Sequence, residues 1–207
     1  MGDRRRSAVL IEKVLKLLLI VILPFVAIVA VAADQIITLL YGPGYEAAVP
    51  VLQVIIWSQV FFVADAVLNQ AMVASDNERP MVRRTVLALG ATVVLTLMLV
   101  PRFGVVGAAW AVVLSRMLSL GLNAQFVHRH ITHLKLKETV GRPLLCAALA
   151  AVVAVILRNQ ELNVLLIVPI ITYIVLLLLL RVFSRDELQL VRDLSGRFWK
   201  KVVVLRR

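Results

Sequence analysis

Long apolar blocks alternate with short polar breaks along this chain. The blocks run Val14–Leu40, Val49–Ala74, Met81–Val100, Val105–Phe126, Arg142–Leu157 and Val164–Val182. Most are close to the ~20 residues that a helix needs to cross a ~30 Å hydrocarbon core. The breaks carry turn chemistry: Tyr41-Gly42-Pro43-Gly44-Tyr45-Glu46, then Ser75-Asp76-Asn77-Glu78-Arg79-Pro80, then Pro101-Arg102-Phe103-Gly104, then the polar stretch Asn159 to Asn163. Pro24 is expected to kink the first block, because it removes a helical donor. Beyond the last block, Ser184-Arg185-Asp186-Glu187 has a capping-box pattern. Leu188, Val191, Leu194 and Phe198 then recur at helical spacing among basic residues, with Trp199 nearby, as in a helix lying on a membrane surface.

The pattern predicts an all-α integral membrane protein of about six transmembrane helices plus a C-terminal amphipathic interfacial helix. It divides into an N-terminal tail (1–13), a four-span region (14–127), a basic loop (128–141), two additional spans (142–183) and a basic amphipathic tail (184–207).

Composition agrees with this. Hydrophobic residues make up 61% of the 207, against roughly 45–50% in soluble domains. The net charge of +11 would suggest nucleic acid in a soluble protein. Here twenty of the twenty-three Lys and Arg fall in, or at the block ends beside, alternate breaks and the two ends of the chain, on one side of the predicted membrane. Only Arg102 and Arg158 fall on the other side, and Arg116 lies within the fourth block. By the positive-inside rule both termini are cytoplasmic, and the charge reports topology rather than nucleic-acid binding.

Met1-Gly2-Asp3-Arg4-Arg5-Arg6 opens like a signal peptide, but the apolar run continues to Ala33 without a small-x-small cleavage site and reads as the first span. Arg6 spoils a myristoylation motif at Gly2. A single cysteine, Cys146, excludes an internal disulfide.

Charged groups inside spans are costly and tend to face protein or water. Asp65 shares one helical face with Ser58 and Asn69, at −7 and +4. Arg116 likewise shares a face with Ser119 and Asn123, at +3 and +7. Two polar stripes imply a common hydrophilic interior. In the functional reading they line a transport cavity in which Arg116 attracts an anionic group. In the alternative, Asp65 and Arg116 neutralise each other as structural glue. Gln53, Gln59 and Gln70 add polarity suited to interhelical hydrogen bonds, and the Gly104/Ala108 pair suits close helix packing. His128, His130 and His133 sit in a basic loop without acidic or thiol ligands, which suits lipid headgroups better than a metal. No Gly-x-Ser-x-Gly, His-Glu-x-x-His or Gly-Lys phosphate loop is present, so no enzyme is predicted.

The ordered pair Leu39-Leu40-Tyr41-Gly42-Pro43-Gly44-Tyr45-Glu46-Ala47-Ala48 and Pro101-Arg102-Phe103-Gly104-Val105-Val106-Gly107-Ala108-Ala109 resembles the C-terminal region of polysaccharide flippases. These export O-antigen and other lipid-linked oligosaccharides, in the superfamily that holds MATE-type multidrug exporters and the lipid II flippase. The likeness covers about Leu19 to His128, and the last two spans resemble the extra C-terminal helices of many such flippases. It implies movement of an undecaprenyl-diphosphate-linked oligosaccharide across the bacterial cytoplasmic membrane. Arg116 is then the candidate contact for the diphosphate or an acidic sugar. No cofactor is implied, and where relatives use an H+ or Na+ gradient Asp65 is the corresponding candidate. Full-length members carry at least twice as many spans. The expectation is therefore a C-terminal part that works with the N-terminal transporter spans or a partner subunit. Two rivals are a non-transporting scaffold, acting through the basic loops and tail, and a fragment of a MATE-type drug exporter. A cationic Arg116 without an acidic cluster speaks against the latter.

Overall fold

The computed structural model describes residues 2–73, 78–131, 136–157 and 162–179. The residues before Glu78 in the second polar turn, His133, the turn after Leu157 and the tail from Ser184 onward lie outside them. So does the side chain of His130. Among the described residues the regular structure is helical: α1 (Gly2–Val31), α2 (Ala33–Tyr41), α3 (Val49–Ile55), α4 (Ser58–Val73), α5 (Glu78–Phe126), α6 (Leu136–Ile156) and α7 (Leu162–Leu179). Three apolar stretches are long enough to cross a membrane: Val9–Val31, Glu46–Val73 and Val82–Arg129. Pro143–Ile156 and Ile167–Leu179 are shorter apolar helices.

Backbone conformation marks where the helices break. Pro24 lies inside α1, and the interruption comes later, at Ala32, whose φ of −84° and ψ of 7° separate α1 from α2. The helix tolerates Pro24 because another element serves the carbonyl that proline leaves without a donor. The Tyr173 hydroxyl on α7 donates to the Ile20 carbonyl at 2.9 Å, four residues before Pro24. A positive φ of 80° at Gly42 ends α2 at the predicted turn.

The third apolar stretch holds 48 residues, about 72 Å if straight, more than twice the core of a bilayer. It is not straight. Gly104 has φ 58° and ψ −141°, a conformation open to glycine and strained for other residues. The chain folds back there, so that Gly107 lies against the Leu99 carbonyl. Gly104 makes the break, and Gly107 rather than Ala108 makes the close approach. Each half of α5 is long enough to span by itself.

Packing centres on α1. Leu15, Leu19, Ile20 and Leu23 meet Ala64 and Val67 of α4, Cys146, Ala147 and Ala150 of α6, and Tyr173 and Leu177 of α7. Small residues on α6 let the backbones approach, the usual source of helix association in lipid. On α7 the fourfold spacing Leu165, Pro169, Tyr173, Leu177 is buried, while Ile170, Ile171, Ile174 and Leu178 point outward. The second half of α5 packs on α3 and α4. Its first half has a half-buried stripe through Ala88, Leu95 and Leu99 and an exposed apolar face that includes Val86, Leu89, Val93 and Leu97. In lipid such a surface meets acyl chains or further helices.

Candidate functional site

The site forms where α4 meets the second half of α5. The two run parallel, since Asp65, Asn69 and Met72 on α4 face Ser119, Asn123 and Val127 in turn. The fourfold spacing on each helix sets the short polar side chains in register. Asp65 is 5% exposed, Ser119 8% and Asn123 3%.

The Asp65 carboxylate is the centre. Asn123 Nδ2 donates to its Oδ1 at 2.7 Å, and Ser119 Oγ donates to its Oδ2 at 2.9 Å. A longer contact of 3.4 Å comes from Asn69 Nδ2, one turn along the same helix. Asn123 Nδ2 also reaches Asn69 Oδ1 at 3.2 Å. Its own Oδ1 is buried without a hydrogen-bond partner. Ser58, 4% exposed at the start of α4, is buried but takes no part in this set. Ser115 lies one turn from Ser119 and also stays outside it. Its hydroxyl donates back to the Ala111 carbonyl at 2.6 Å.

Arg116 goes elsewhere. Its guanidinium lies over the Phe62 ring, 5.0 Å from the centroid, and the residue is exposed. Mutual neutralisation with Asp65 therefore has no counterpart in this geometry. The reason is register. Ser119 and Asn123 stand level with the carboxylate, whereas Arg116, one turn before Ser119, stands level with Phe62, one turn before Asp65. Phe62 was not singled out from the sequence; its place three residues before Asp65, on the edge of the polar stripe, was the available signal.

Beside the polar set lies an apolar cleft of about 480 Å³ between α1, α4, α5 and α6, lined by residues that include Leu19, Trp57, Phe61, Leu120 and Leu144. A second cation–aromatic contact closes the far end of the helix pair. Arg84 lies 3.8 Å from the Phe126 ring centroid, and its Nη1 is 3.4 Å from Met72 Sδ. Among the described residues no group of three or more His, Cys, Asp or Glu side chains is placed to hold a metal.

A helical bundle with apolar outer faces and an internal polar set defines a multi-pass membrane protein. The profile of the lipid II flippase MurJ family matches residues 2–184, and the chain belongs to that family. Its members are transporters, not enzymes. The chain is also 24% identical to an uncharacterised membrane protein of Methanocaldococcus jannaschii, over 64% of this chain and 26% of that relative. No solved structure matches.

Proposed function

We propose that this chain is the C-terminal part of a flippase that moves a lipid-linked saccharide precursor from the cytoplasmic to the outer leaflet of the bacterial cytoplasmic membrane. In this reading six spans cross the membrane with both ends in the cytoplasm, as the distribution of Lys and Arg directs. The substrate class follows from the family, and an undecaprenyl-diphosphate-linked oligosaccharide is the specific form favoured. Because the chain spans about a quarter of its archaeal relative, the remaining transporter spans, or a partner subunit, complete the pathway.

Arg116 carries the reading. Its guanidinium is exposed within a long apolar helix, against Phe62. A guanidinium facing lipid at that depth costs about 2.5–3.5 kcal/mol even on insertion scales. The face it occupies therefore belongs to a wet cavity, where its planar fork suits a diphosphate. Asp65, Ser119 and Asn123 lie behind that wall, and their role is to fix the helix pair that presents Arg116.

The test is translocation of a lipid-linked precursor by the complete transporter in proteoliposomes. Arg116→Ala should abolish flipping while membrane insertion stays intact. Retained flipping removes Arg116 from the mechanism, and loss of function only on deleting Ser184–Arg207 would favour the scaffold instead.

A further inference from the structure

We infer that α2 and the turn that follows it form a binding site for an uncharged saccharide, apart from the Asp65 set and from Arg116. The inference deepens the flippase reading and rests on it for one point, that this end of the chain faces the outer leaflet. The site would hold the sugar head group of the substrate as it leaves the membrane.

Depth and lining make the first argument. The apolar stretch Val9–Val31 holds 23 residues, about 35 Å of helix. That length already crosses a ~30 Å hydrocarbon core. Ala33–Tyr41 and the Gly42 turn then stand at the interface, where water and a polar head group reach them. An open recess of about 590 Å³ lies there, lined among the described residues by Asp34, Gln35, Thr38 and Leu39. Small-ligand sites run from roughly 300 to 1,000 Å³. The polar members offer a carboxylate, a carboxamide and a hydroxyl, a mixture of acceptors and donors. Sugar hydroxyls, which accept and donate, need that mixture. The described lining holds an acid and no base, so a phosphate is disfavoured there. Charge thus separates the two ends of one substrate, with Arg116 for the diphosphate and this recess for the sugar.

The aromatic surface is a second, independent argument. Asp34, Thr38 and Tyr41 recur at spacings of four and three, on one face of α2. Tyr45 then returns against Tyr41, with ring centroids 5.5 Å apart and planes at 37°. Positive φ at Gly42 (80°) and Gly44 (106°) turns the chain back between them. Both rings stay open, Tyr41 61% exposed and Tyr45 57%. An aromatic face is electron-rich and takes the C–H groups of a sugar ring. Hydrogen-bonding groups one helical turn from an open ring pair meet both surfaces that a saccharide presents.

The test measures sugar binding apart from transport. The 207-residue chain is purified in a sugar-free detergent, and saturation-transfer NMR is recorded with lactose, cellobiose and chitobiose. Saturation should reach the ring C–H protons of at least one of these neutral disaccharides. Tyr41→Leu keeps an apolar side chain and removes the ring, and Thr38→Val keeps the shape and removes the hydroxyl. Each should weaken binding about twofold to tenfold. Tyr41→Phe keeps the ring and should bind nearly as the parent does. Ser115→Ala, on a different helix, should leave binding unchanged. Thr38 and Tyr41 are exposed, so these variants should unfold at the parent's temperature, and Asp34→Ala is added only if it does the same. Transfer to none of the three sugars overturns the site. So does transfer that Tyr41→Leu and Thr38→Val leave unchanged, which would return the tyrosines to interfacial anchoring. Displacement of the sugar by inorganic phosphate overturns it in favour of an anion. The flippase reading fails separately: sugar binding that responds to these variants, in a complete transporter that moves no lipid-linked precursor, leaves the site standing and removes that reading.

Discussion

Gly107 sits against the backbone carbonyl of Leu99, eight residues earlier in a stretch whose helical pattern is interrupted between them by Gly104. In a continuous helix those positions would be about 12 Å apart along the axis. A Cβ at Gly107 would collide with backbone, which cannot swing aside as a side chain can. Gly107→Ala should therefore destabilise the chain by about 1–3 kcal/mol. Gly90, in the first half of α5, has open space around it. Gly90→Ala should be neutral or stabilising, by up to about 1 kcal/mol. Unfolding in detergent compares the two directly, and equal effects would refute the folded-back arrangement.

The Tyr173–Ile20 hydrogen bond predicts a specific non-additivity. Tyr173→Phe should cost about 1 kcal/mol, the range of interhelical hydrogen bonds in membrane proteins. Pro24→Ala restores a helical donor to the Ile20 carbonyl. In that background Tyr173→Phe should cost clearly less. A double-mutant cycle reads the difference, and full additivity would show that the carbonyl does not depend on the tyrosine.

Arg84 and Phe126 tie the start of α5 to its end. Phe126→Leu keeps apolar volume and removes the ring face. A loss of about 0.5–2 kcal/mol is expected, and it should vanish when Arg84 is already Gln. Persistence of the loss in Arg84→Gln would assign it to packing alone.

Cys146 is buried and is the chain's single cysteine, so labelling can map the surface. In a cysteine-free background of the complete transporter, Cys146→Ala included, Arg116→Cys should react readily with a membrane-impermeant maleimide. Leu97→Cys, on the uncovered apolar face of α5, should not. Thiol reactivity requires the thiolate and hence water. Labelling at 97 and protection at 116 would place lipid, not a cavity, beside the arginine.

Sequence and structure diverge in instructive places. Apolar blocks, the Gly42 turn and the Gly104 break were legible, because span length and glycine or proline chemistry act locally. The interruption at Ala32 was not, since nothing in its residue type disfavours helix. The spacing that joins Ser119 to Asn123, and Asp65 to Asn69, was visible as two stripes. That the stripes meet in parallel register was not visible, because it depends on how α4 and α5 dock. Arg116 shared a stripe with Ser119 on paper, yet one turn earlier in the parallel pair it meets Phe62 rather than Asp65. Helical phase specifies the face from which a side chain leaves the backbone, and it leaves the residue opposite unspecified.

Pro24 also has a consequence for how the chain is made. The Ile20 carbonyl emerges with the first span, and its donor lies 153 residues downstream. At about 5–20 residues per second of synthesis, that carbonyl waits roughly 8–30 s before Tyr173 is available. Until then the first span holds an unsatisfied polar group in the bilayer. Arrival of α7 relieves it, so α1 reaches its full stability only once a helix made much later has packed against it.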